Sequence, residues 1–95
     1  MIYTCGHTES YERYFREQGT PSKLGRGMHE GRYYQGGSVW KTFDEANHFA
    51  INGYSVYGVL ADWDKDTTQS KDGPWHDLLV TSPLVKLTTD GLPRE

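Results

Sequence analysis

Asp62, Asp64 and Asp66 alternate along the chain, so an extended segment would set three carboxylates on one side, where a hard cation could be held. A calcium loop would need glycine where Thr67 stands and a bidentate glutamate where Gly73 stands; the other reading is a solvated acidic strand end. Of the four histidines, His7, His29, His48 and His76, none has a second histidine or a cysteine at zinc-ligand spacing. Cys5 and His7 would share a face, as a nucleophile and its base must, only if a strand runs on through Gly6; otherwise Cys5 is a small buried hydrophobe.

A second type of chemistry is anion recognition. Over residues 20–37, Lys23, Arg26, His29 and Arg32 alternate with Gly25, Gly27, Gly31, Gly36 and Gly37. Guanidinium forks on a permissive backbone can wrap a carboxylate or phosphate. There is no GKS or GKT triplet and no GxGxxG leading from a strand into a helix, so neither a P-loop nor a dinucleotide site is implied. The alternatives are a site for a small anionic ligand or an acidic partner, and a plain surface loop. Trp40, Trp63 and Trp75, with Tyr33, Tyr34, Tyr54 and Tyr57, could line a groove for a planar ligand or anchor a protein interface. Trp40 is read as core, and Trp63 and Trp75, flanking the acidic run, as exposed anchors. The candidate binding residues are therefore Lys23, Arg26, His29, Arg32, Tyr34, Trp63 and Trp75, with no catalytic residue, metal or cofactor assigned.

These residues must be positioned by a small set of elements. Residues 1–5 are β-prone, and Thr8 is placed to cap a helix reaching about Gln18, with Tyr11, Tyr14, Phe15 and Gln18 on its packed stripe. Residues 20–37 show no sustained period and read as a long loop; 38–41 read as a strand. Thr42 and Glu45 form a capping box for a second helix with Ala46, Phe49 and Ala50 inward, and Asn52-Gly53 ends it. Residues 54–61 are apolar or aromatic on both alternating faces, as in a central strand covered on each side. A polar loop, a helical turn over 74–79, a strand over 84–87 and a frayed tail over 90–95 complete the pattern. The expected fold class is α+β: about four strands in a small mixed or antiparallel sheet, two main helices and one short helix, in one domain over 1–89.

Composition narrows the function. Thirteen acidic against ten basic residues argue against nonspecific nucleic-acid binding, which needs a concentrated positive surface. A single cysteine excludes an intramolecular disulfide. No apolar run reaches spanning length, and residues 1–15 lack the order of a signal peptide, so the expectation is a cytoplasmic protein without membrane contact. Three tryptophans and seven tyrosines in 95 residues supply amphipathic surface suited to recognition, although a small domain has many half-buried positions in any case.

The stretches Gly36-Gly37-Ser38-Val39-Trp40-Lys41-Thr42, Gly53-Tyr54-Ser55-Val56-Tyr57-Gly58-Val59, Ala61-Asp62-Trp63-Asp64 and Pro74-Trp75-His76-Asp77-Leu78-Leu79 resemble a family of small bacterial and phage proteins, a likeness that carries no assigned activity. A broader resemblance is to the ADP-ribosyltransferase-like fold, with His7 ending the first strand and Ser38 opening the second. That likeness implies a cofactor cleft and a catalytic glutamate near a late strand, whereas after Glu45 the only glutamate is Glu95. The reading that follows is a phage- or bacterium-encoded accessory protein that binds a host protein or a small anionic ligand without catalysis. A divergent ADP-ribosyltransferase-like enzyme is the alternative.

Overall fold

A computed structural model of the chain describes residues 1–18, 23–24, 27–29, 32–34, 38–71 and 73–93. The fold is α+β with two helices, α1 (Thr8–Gln18) and α2 (Phe43–Phe49). The principal sheet is four-stranded and antiparallel, in the order β1 (Ile2–His7), β6 (Tyr54–Val59), β9 (Ser82–Val85), β2 (Lys23–Leu24). A three-stranded antiparallel sheet follows the order β5 (Ser38–Val39), β8 (His76–Leu78), β7 (Thr67–Gln69). The two sheets meet where Tyr3 and Trp40 exchange backbone hydrogen bonds of 3.0 and 2.7 Å. The Thr4 hydroxyl, fully buried, reinforces the junction by donating to the Ser38 carbonyl at 2.8 Å.

β6 is the central strand of its sheet, as its two-sided apolar pattern requires. On one face Tyr57 and Val59 join Ile2, Phe15, Val39, Leu78 and Leu84 in the main core. Helix α1 covers this face through Tyr11 and Phe15, whose rings lie 4.7 and 5.9 Å from that of Tyr57. Full burial of residues such as Val39, Val59 and Leu78 contributes about 1.5–3 kcal/mol each. Helix α2 covers the opposite face, with Ala46 fully buried and Phe43 edge-on to Tyr3 at 6.0 Å. Its start is the expected cap: the Thr42 Oγ1 accepts from the Glu45 N–H at 3.3 Å. The return bond differs from a capping box, because the Glu45 carboxylate accepts from the Thr42 hydroxyl at 3.0 Å instead of from its N–H.

Several expectations are corrected. The helical turn over 74–79 is strand β8, because its backbone groups pair with both β5 and β7 and two ladders outweigh local helix preference. The long loop over 20–37 contains β2, paired with β9, and a hairpin of β3 (Gly27–His29) and β4 (Arg32–Tyr34). Strands of two or three residues are too short for a period to register in sequence. The segment after Thr88 is folded: the Gly91 N–H donates to the Thr88 carbonyl at 3.0 Å, Leu87 bridges Pro93, and Gly91 is buried beneath the Phe43 ring. Thr8 bonds sideways to Ser55 across 2.5 Å, tying α1 to β6. Glu12 on α1 pairs with Lys86 at 2.8 Å, and the Lys86 ammonium lies 5.0 Å over the Phe15 ring. Among the described residues no helix is long and apolar enough to cross a membrane.

Candidate functional site

The three aspartates fold into a turn. The Asp62 Oδ1 accepts from the N–H groups of Asp64 and Lys65, both at 2.9 Å, and the Asp66 Oδ2 accepts from the Asp62 N–H at 2.8 Å. Donation from Lys65, then Asp64, holds the Asp62 carboxyl below its ordinary range. These oxygens serve the backbone, and among the described residues no three His, Cys, Asp or Glu side chains are grouped to hold a metal.

Trp63, expected as an exposed anchor, stacks on His76 with centroids 3.8 Å apart and 19° between planes, and packs on the main core. The turn explains this, because Thr67 donates its hydroxyl to the Trp63 carbonyl and lies 2.9 Å from His76 Nδ1, locking ring and backbone together. With that hydroxyl proton committed, the Thr67 oxygen accepts from His76 Nδ1–H. Among the candidates of residues 20–37, Lys23 lies in β2, His29 in β3, and Arg32 and Tyr34 in β4; His29 and Arg32 are directly opposed in the hairpin register. Arg26 lies outside the described residues.

The aromatic residues do converge. In β5, Val39 points into the core, so Ser38 and Trp40 face the other way. There they line a groove of about 280 Å³ with Cys5 from β1, Phe49 from α2, Tyr54 from β6 and Trp75 just before β8. The Trp40 and Phe49 rings stack at 5.1 Å and 22°, while Trp75 meets Phe49 edge-on at 5.9 Å and Trp40 at 6.1 Å. The Trp75 ring lies directly on Gly73: a Cβ there would come within 2.3 Å of it, so glycine sets how low this wall sits. His7 packs on Tyr54 at 4.4 Å and His48 edge-on to Phe49 at 5.4 Å, putting two imidazoles behind lining rings.

Phe49 was expected inward; it is 36 % exposed, because α2 ends there and its last side chain overhangs the groove. Trp40 is buried as expected, and its Nε1–H has no acceptor among the described residues. β1 does run through Gly6, so Cys5 and His7 share a face, but the His7 ring is taken up by Tyr54. Burial raises the Cys5 thiol above its ordinary range, which disfavours the reactive thiolate. Cys5 and Phe49 were not legible as groove residues; the period-2 alternation of β1 and the position of Phe49 at the end of its helix were the available signals.

The site is thus a shallow aromatic groove at the junction of two small sheets, closed on one side by a short helix. No protein-family model, curated protein or solved structure matches this chain.

Proposed function

We propose that this protein is a small binding module, without catalysis of its own, that receives a single side chain of a partner protein in the groove of Trp40, Phe49, Tyr54 and Trp75. The observation that carries this reading is the groove's size and lining together. About 280 Å³ is below the roughly 300–1,000 Å³ of sites built for drug-sized ligands or cofactors, yet suits one protein side chain. The exposed or half-exposed rings of Phe49, Tyr54 and Trp75 at such a depression are the usual anchors of protein interfaces, and Ile51, two residues after Phe49, is 67 % exposed. The resemblance to small bacterial and phage proteins adds an accessory role. The basic residues of the segment 20–37, Lys23, Arg26, His29 and Arg32, supply a second contact region.

The test is affinity capture with mass spectrometry of retained proteins and extracted small molecules, comparing the native protein with Trp75→Ala. Proteins held by the native form and lost with the variant, at matched folding, support the reading; identical capture by both refutes it.

One observation favours a second reading. Of the two positions of the ADP-ribosyltransferase-like resemblance, Ser38 lines this groove and His7 packs on its Tyr54 wall. The six lining residues include no carboxylate, so the acid such chemistry requires would have to come from elsewhere. Nicotinamide release from NAD, abolished by His7→Ala, would establish the enzyme and displace the binding module.

A further inference from the structure

The topology of the principal sheet gathers exposed apolar side chains at one end of the molecule. Met1 stands before β1, Leu60 follows β6 and Val80 leads into β9; because β6 runs antiparallel to both of its neighbours, all three lie at the same end of the sheet. The pairing runs on past Val59 into this end, where the Leu60 N–H donates to the Pro83 carbonyl at 2.9 Å. Leu79 belongs there too, since its N–H donates at 2.8 Å to the carbonyl of Asp66, in the turn that follows β6. Met1, Leu60, Leu79 and Val80 are 43, 53, 44 and 44 % exposed. The same turn carries Asp64 and Lys65, adjacent, exposed and of opposite charge, and neither is held in an ion pair among the described residues.

Beyond the aromatic groove, we propose that this end is the interface of a two-fold homodimer, in which the apolar side chains of two copies meet at the axis and Asp64 of each copy pairs with Lys65 of the other. A two-fold contact uses one patch twice, so the patch must complement itself. An apolar centre does so, and two neighbouring charges of opposite sign become two ion pairs once the second copy is turned through the axis. A strongly basic or strongly acidic partner would match only one of those two charges. The size is adequate as well: the smallest stable interfaces take roughly 600 Å² from each partner, and the narrowest section through a molecule with principal extents of 33 × 30 × 24 Å is of that order. With strands rising about 3.3 Å per residue, Leu60 lies about 20 Å along the direction of β6 from Tyr54 in the groove, so a copy docked at this end leaves the groove open.

The experiment is sedimentation equilibrium of the full chain over roughly 1 μM to 1 mM. The native protein is expected to pass from monomer to dimer mass in that range, Leu60→Asp to weaken dimerisation at least tenfold, and Asp64→Lys and Lys65→Asp each to weaken it at least threefold, since like charges then face each other across the axis. Mixing the last two variants restores opposite charges at both contacts, so the equimolar mixture is expected to dimerise within about twofold of the native protein. Trp75→Ala is expected to dimerise as the native protein does. A native protein that stays monomeric throughout, a Leu60→Asp variant that dimerises like the native protein, or a mixture no tighter than its two components overturns the proposal. A dimer lost in Trp75→Ala and kept in Leu60→Asp overturns it too, and moves the contact to the groove. The concentration series needs only the native protein, so a monomeric result decides against the dimer even where a variant does not fold, and it leaves the groove as a binding site untouched.

Discussion

Two glycines with nearly the same backbone conformation provide an internal control on how the helix that walls the groove is held. Gly53 has φ 83° and Gly91 φ 80°, both in the left-handed region that a side chain enters at a cost of roughly 1–2 kcal/mol. Alanine also lowers the entropy of the unfolded chain, offsetting about 0.4–1 kcal/mol of that cost. Around Gly53 no atom lies within 4 Å of a new Cβ, so Gly53→Ala is expected to lose about 1 kcal/mol. At Gly91 the same Cβ would sit 2.6 Å from Phe43 Cγ and 2.7 Å from Cδ2. Those atoms are near the root of the ring, which is itself edge-on to Tyr3, so a small rotation does not relieve the clash. Overpacking of this kind costs typically 1–3 kcal/mol, bringing Gly91→Ala to about 2–4 kcal/mol. For a domain of this size the difference of about 2 kcal/mol is roughly 8–16 °C in melting temperature. Thermal and urea denaturation of the two variants side by side provide the measurement. Because Phe43 and Phe49 belong to the same helix, Gly91→Ala should also shift the Trp40 indole signal, which Gly53→Ala should leave in place. Equal destabilisation by the two substitutions would refute the packing of the C-terminal segment on α2.

Removing the Thr42 cap with Thr42→Ala is expected to lower stability by about 1 kcal/mol in urea denaturation and leave capture of partners unchanged, since Thr42 is exposed and not among the groove residues. Gly73→Ala removes no ring but lifts Trp75 off its seat, so it should weaken capture of partners while the urea midpoint moves little; intact capture would mean that Trp75 is not a groove wall. Burial raises both Cys5 and Tyr57 above their ordinary values of 9.0 and 10.0, the Glu12 carboxylate adding to the rise at Tyr57. Each proton is therefore held more tightly in the folded state, so their contribution is fully present below about pH 9 and is lost as pH rises through and beyond 10. Urea midpoints should fall over that window, less steeply in Cys5→Ser/Tyr57→Phe, and an equal slope in both proteins would show that these groups are not responsible.

Local signals in the sequence determined the parts that local physics controls. Thr42 and Glu45 identified the start of α2 because a cap needs only neighbouring atoms, and the two-sided apolar run over 54–61 identified the central strand, which ends at Val59, because burial on both faces leaves no polar alternation. The α+β class, the inward Phe15 and the buried Trp40 followed from the same kinds of pattern. Tertiary contacts decided the rest. Residues 76–78 became a strand only because β5 and β7 flank them, and β2, β3 and β4 are too brief to leave a period of their own. The three aspartates left a cation site and a solvated strand end both open while their backbone partners were unknown; once the turn brought the N–H groups of Asp64 and Lys65 to Asp62 and that of Asp62 to Asp66, the carboxylates of Asp62 and Asp66 had other work. Trp63 and Trp75 have similar polar neighbours in sequence, yet one is clamped on His76 against the core and the other walls a groove, a difference set by which face of the smaller sheet each adjoins. That groove draws Cys5, Ser38, Trp40, Phe49, Tyr54 and Trp75 from separate elements, so no spacing along the chain encodes it. Its shape exists only where the Tyr3–Trp40 bridge joins the two sheets beneath the end of α2.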